Sequence, residues 1–176
     1  MNAQEYGKAL FLLADEESIA DQIKQEAECV AKILLDNPKY VTLLDTPSLS
    51  GSEKHQLLDA AFKDLHPHLL NFMKILVTKR CMYLFSHTLS AYCAAYDEKN
   101  NILHASAVTA VEMTIAQKEN LTKKLSNLTG KTVVLRTVVD PKVLGGVKLQ
   151  FDGKQLDSSL EAQLASLRAT LKQTNL

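Results

Sequence analysis

Along the first hundred residues, apolar side chains recur every three or four positions, the spacing of one helix face. Tyr6, Leu10, Leu13 and Ala14, with Ala9 beside them, mark a first helix, and Asp15-Glu16-Glu17 follows as a solvated turn. Ile19, Ile23, Ala27, Val30, Ala31 and Leu34 mark a second. Asn37-Pro38 stops it, and Pro38 suits the first turn of a short third helix carrying Tyr40, Val41, Leu43 and Leu44. Ser50-Gly-Ser-Glu53 has the spacing of a capping box and predicts a fourth helix through Leu57, Leu58, Ala61 and Phe62. His66-Pro67-His68 interrupts the pattern. Leu69, Phe72, Met73, Leu76 and Val77 make a fifth helix, Lys79 to Met82 a turn, and Leu84 to Ala95 a sixth. Helices joined by short loops pack as antiparallel neighbours, so this half is expected to be a six-helix bundle.

The period changes after Asn100-Asn101. Leu103, Ala105, Ala107, Thr109 and Val111 alternate with their neighbours, as in a half-buried strand. Thr114-Ile-Ala-Gln117 is a second capping box, opening a helix through Ile115, Leu121, Leu125 and Leu128, with Gly130 placed to cap its end. Thr132 to Val139 is β-branched and reads as a strand. Val147 to Phe151, Asp152-Gly153 and Lys154 to Leu156 read as a β-hairpin. Ser158-Ser-Leu-Glu161 would cap a last helix with Leu160, Leu164, Leu167 and Leu171 on one face. The fold class expected is mainly α: an N-terminal six-helix bundle over 1–105 and a small C-terminal α/β domain over 106–176.

Charge refines this division. The chain has 20 basic and 20 acidic residues and no formal net charge. The first 105 residues carry ten Lys/Arg and fourteen Asp/Glu, and the remainder ten and six, so the halves are suited to different partners. A protein held on nucleic acid through phosphate contacts ordinarily carries a basic excess, which is missing here. The cysteines, Cys29, Cys81 and Cys93, are odd in number with no CxxC spacing, as expected of reduced thiols. No signal or transit pattern opens the sequence, which favours a bacterial setting. The longest apolar runs fall far short of the roughly 20 residues that cross a bilayer, so membrane contact is expected only through a partner.

No constellation reads as a catalytic, cofactor or metal site. Gly130-Lys131-Thr132 resembles the end of a phosphate loop, but position 125, where its first glycine belongs, is Leu within a helical pattern. Gly145-Gly146 lacks the third glycine of a dinucleotide site and is expected instead to permit positive φ before the hairpin. His66 and His68 flank a proline without further ligands at metal spacing. Ser86 and His87 are adjacent on a helix and do not face each other. Asn120-Leu-Thr122 and Asn127-Leu-Thr129 match glycosylation acceptors but lack the secretory context. One feature suggests a binding surface. Small Ala9 and Ala14 beside the first stripe, with Asn71 and Ile75 at i, i+4 on the fifth helix, could form a groove for an amphipathic helix. From periodicity alone, core packing explains the same residues more simply.

The segment Val139-Asp140-Pro141, Gly145-Gly146-Val147, Phe151 to Gly153 and Asp157 to Leu160 resembles the signature of the delta subunit of F-type ATP synthases, whose mitochondrial relative is the oligomycin-sensitivity-conferring protein. Tyr6-Gly-Lys-Ala9-Leu10-Phe11 resembles the family's opening. So do Asn71-Phe72, Leu76-Val77 and Arg80, Val108-Thr109-Ala110, and the stretch Thr114 to Leu121 at their places. Ser158 stands where the family has glycine, and Gly7 where it has alanine, a change that costs roughly 1 kcal/mol in a helix interior.

The resemblance implies a non-catalytic stator subunit without a cofactor or metal, present once per complex. It would join the catalytic head to the dimeric b subunits of the peripheral stalk, so that the head does not turn with the rotor during ATP synthesis coupled to ion transport. It further implies that the first and fifth helices bind the N-terminal helix of an alpha subunit. By position the groove residues are Tyr6, Ala9, Leu10, Leu13, Asn71 and Ile75. The C-terminal domain would meet the ends of the b subunits, placing the protein at the cytoplasmic face of a bacterial inner membrane.

Overall fold

The computed structural model describes residues 2–157 except Ser48, Lys142, Leu144 and Asp152. The expected last helix, with its Leu160, Leu164, Leu167 and Leu171 stripe, lies outside the described residues. The chain divides into two compact units, one through Glu98 and one from Lys99 onward. The boundary expected at 105/106 falls inside a strand, β1 (Ile102–Thr109), that pairs along its length with strands of the second unit. Domain boundaries fall where few contacts cross, so the division precedes this ladder.

The first unit consists of α1 (Ala3–Glu16), α2 (Ala20–Asp36), α3 (Pro38–Asp45), α4 (Gly51–Ala61), α5 (Pro67–Thr78), a 3-10 turn (Met82–Leu84) and α6 (Phe85–Lys99). Local chemistry sets the helix ends. The Asn2 side chain accepts from the Gln4 amide at 3.2 Å. The Ser50 hydroxyl accepts from the Glu53 amide, and the Ser50 amide donates to the Glu53 carboxylate at 2.8 Å, completing the capping box. The Ser50 hydroxyl, which also donates to Glu53 Oε2 at 2.7 Å, and after it the Ser50 amide hold the Glu53 carboxyl below its ordinary range. Pro38 and Pro67 stand in first turns, where a missing N–H costs nothing.

Helices α1 and α5 end alike. The Ile19 amide donates to Ala14 O at 2.8 Å and Ser18 to Asp15 O, and Cys81 donates to Leu76 O at 2.9 Å and Arg80 to Val77 O. This pair of bonds normally places a left-handed glycine after the helix, yet here Ser18 (φ 60°) and Arg80 (φ 54°) hold that conformation.

The apolar stripes meet in one core that includes Ile23, Leu44, Leu58, Leu69, Met73 and Leu76, all fully buried. Phe11 meets Tyr92 edge-on at 5.6 Å, and the Tyr92 hydroxyl donates to Ala20 O at 2.9 Å, so the buried phenol is satisfied. At the end of α3, the Asp45 carboxylate accepts from the Met82 and Tyr83 amides at 3.0 and 3.2 Å and anchors the turn that leads into α6.

The second unit is mixed. Strand β1 pairs in parallel with β2 (Thr132–Val139), Leu103 opposite Val133. Parallel neighbours need a crossover, supplied by α7 (Ile115–Thr129). The other edge of β1 pairs antiparallel with β3 (Val147–Phe151), and β3 antiparallel with β4 (Lys154–Asp157), giving the order β2-β1-β3-β4. Alternate β1 residues Leu103, Ala105, Ala107 and Thr109 are buried, and α7 lays Leu121 and Leu125 against Leu103, Ala105 and Val133. Thr114 and Gln117 form the expected capping box, and Gly130 closes α7 at φ 69°.

Candidate functional site

The groove residues divide by the faces they occupy. On α1, Gly7, Leu10, Phe11 and Ala14 point inward. Tyr6 is half-buried and packs on the core, Ala9 is exposed, and Leu13 is 40% exposed. On α5, Phe72, Met73 and Leu76 fill the core, whereas Asn71 is exposed and Ile75 is 48% exposed. Of the six, Leu10 is therefore a core residue that supports the flank from beneath, as is Ala14 beside it. Leu12, 59% exposed, adds apolar surface to α1 that the stripe did not single out. Exposed apolar side chains mark a recognition surface where they form a contiguous patch.

Two contacts hold this surface. Glu17, just past α1, meets His68 in the first turn of α5, with Oε2 2.8 Å from Nε2. His66 caps α5, its Nδ1 accepting from the His68 amide at 3.3 Å, and its own amide donates to the Glu26 carboxylate at 2.7 Å. These histidines therefore serve helix ends. The other contact is at Gly7. A Cβ there would stand 2.4 Å from Thr88 O and 2.7 Å from Ala91 Cβ, both on α6. The glycine that looked like a local weakness is what lets α1 lie against the α6 backbone. Its signal in the sequence was the departure from alanine, whose meaning depends on α6, some eighty residues on.

No group of three or more His, Cys, Asp or Glu at metal-binding distance occurs among the described residues. Cys29, Cys81 and Cys93 are free thiols, and burial pushes the Cys93 thiol up. No helix among the described residues is long and apolar enough to cross a membrane. The second unit carries a cleft of about 450 Å³ between the loop following β1, α7 and Gly145-Gly146. The glycines have φ of 127° and 86°, as their spacing suggested. The cleft itself was not legible, because it brings Gly145-Gly146 against a loop and helix that lie well before them in sequence.

A family model for the ATP synthase delta (OSCP) subunit matches residues 3–171. The ATP synthase subunit delta of Clostridioides difficile (strain 630) is 33% identical over 174 residues, covering 97% of this chain and 96% of that one. That of Latilactobacillus sakei subsp. sakei (strain 23K) is 30% identical over 169 residues, covering 96% and 94%. Among solved structures, a chain of the Toxoplasma gondii mitochondrial ATP synthase hexamer is similar in fold. It has a TM-score of 0.72 at 20% identity, with 97% of both chains covered.

Proposed function

The chain belongs to the ATP synthase delta (OSCP) subunit family and is a non-catalytic stator subunit of the peripheral stalk, and from that premise we propose that its first unit is a six-helix bundle gripping the N-terminal helix of an alpha subunit. Tyr6, Ala9, Leu13, Asn71 and Ile75 form the contact surface and Leu10 its floor. The second unit, with its β3–β4 hairpin, meets the ends of the b subunits. One copy then ties head to stalk at the cytoplasmic face of a bacterial inner membrane.

The observation that carries this reading is the half-exposed pair Leu13 and Ile75 on two helices whose inward faces are fully packed. A helix laid on them buries apolar surface without disturbing the core. The mechanical demand fits. A joint under sustained torque needs slow dissociation, and nanomolar binding corresponds to about −12 kcal/mol. A few apolar anchors per site, with several sites on one assembly, reach that range through avidity.

The test is titration calorimetry of the full chain with a peptide of the cognate alpha subunit's first 20 or so residues. Binding is expected, weakened at least tenfold by Ile75→Asp with helix content unchanged. No heat at tens of micromolar peptide would overturn the groove assignment.

A further inference from the structure

We propose that the cleft of the second unit is the seat of the stalk contact, receiving an apolar side chain from an acidic helix end whose carboxylate pairs with Lys124. The inference rests on the reading that the second unit meets the b subunits, and adds the surface, the polarity and the anchoring cation.

The cleft has the form of a socket. Ala110, Met113, Leu121 and Val147 supply an apolar lining. Gly145 and Gly146 contribute a wall of bare backbone that brings an incoming side chain close. Val111, 74% exposed, also lines it, and Ile115, 77% exposed, opens α7, the helix that forms one side. Burying such side chains is favourable, so a partner covering cleft and rim gains several anchors at once.

Charge specifies the partner. Lys124 lines the cleft, lies exposed on α7 and makes no ion pair among the described residues. Glu112 also lines the cleft but does not pair with Lys124, so the ammonium stays available, and the two opposite charges set one direction for the incoming segment. The half of the chain that holds the cleft has ten basic and six acidic residues, which steers an acidic segment towards it. A basic or purely apolar partner would leave Lys124 facing like charge or desolvated without a counter-ion, and either is costly.

Two variants of the full chain test this, titrated with the soluble C-terminal part of the cognate b subunit. Lys124→Glu reverses the anchoring charge on an exposed helix face, and Ala110→Trp fills the cleft. Each should weaken binding about tenfold or more, the first more strongly at low salt. Lys123→Glu makes the same change in net charge on α7 but lies off the cleft, and should change affinity less than threefold. Equal effects at Lys123 and Lys124 would reduce the contact to general attraction and overturn the proposal. So would unchanged binding by both cleft variants; a loss of thermal stability in Ala110→Trp alongside it would give the cleft to the chain's own remaining residues. If wild-type protein does not bind the stalk segment at all, the reading of the second unit's partner fails first.

Discussion

Among the described residues, the first unit buries a cluster of nineteen apolar side chains and the second a cluster of four. Among the described residues, side-chain packing is the more extensive in the helical unit, and in the mixed unit the backbone ladder of β1 with β2 and β3 stands out beside the smaller cluster. Their candidate surfaces differ accordingly. In the first unit the surface is the outer flank of a packed core, so its shape follows from how the helices cross. In the second it is a gap where a strand end, a helix and a glycine pair meet, and its shape follows from backbone geometry.

The strongest way to break this comparison is through the cores. Met73→Ala, at a site with no exposure, should cost about 2–5 kcal/mol, and Leu125→Ala in the smaller cluster about 2 kcal/mol. All five tyrosines lie in the first unit and the chain has no Trp, so tyrosine emission in urea reports that unit alone. Amide exchange in β1 reports the other. Equal losses from the two substitutions would show that the mixed unit relies on packing as much as the helical one.

Gly7→Ala should follow, destabilising the first unit by about 1–3 kcal/mol through overpacking against α6. Helix propensity alone predicts the opposite sign, a gain of about 1 kcal/mol. A raised urea midpoint would mean that α1 and α6 do not cross as closely as their backbones indicate. The same variant should also weaken the alpha-subunit peptide, since it displaces the helix that carries Ala9 and Leu13.

The smallest effect is alkaline. Burial holds the Tyr92 phenol well above its ordinary value, burial raises Tyr40 and Cys93, and a hydrogen bond to Asp21 raises Tyr96. Each raised group favours the protonated folded chain. Its contribution is complete below the unfolded value and is lost as pH rises through the folded one. Loss should begin near about pH 8.5 with Cys93 and steepen near about 10 with the phenols. Tyr92 contributes up to about 1.4 kcal/mol per pH unit above that point. Every one of these groups is in the first unit, so β1 exchange should not follow the trend. Tyr92→Phe should flatten the slope in the helical unit, and an unchanged slope would remove the phenol as its source.

Much of this was legible along the chain. The two capping boxes, Pro38, Gly130 and the alternation of β1 all act within a few residues, and the structure places them as read. The family resemblance is likewise an ordered set of local motifs, and the family matches over nearly the whole length. The groove was less legible, because helical spacing places Leu10 and Leu13 on one stripe while only the neighbouring helices decide which of them faces the core.

What the sequence determined by itself was therefore the elements, their ends and the family, since a hydrogen bond from a side chain to a backbone three residues away needs no other partner. Only the tertiary structure decided which apolar residues stay exposed, that Gly7 is a contact with α6, and that Thr109–Met113, α7 and Gly145-Gly146 line one cleft. These depend on distances between segments far apart in the chain, which side-chain packing and strand pairing set together and no local pattern encodes.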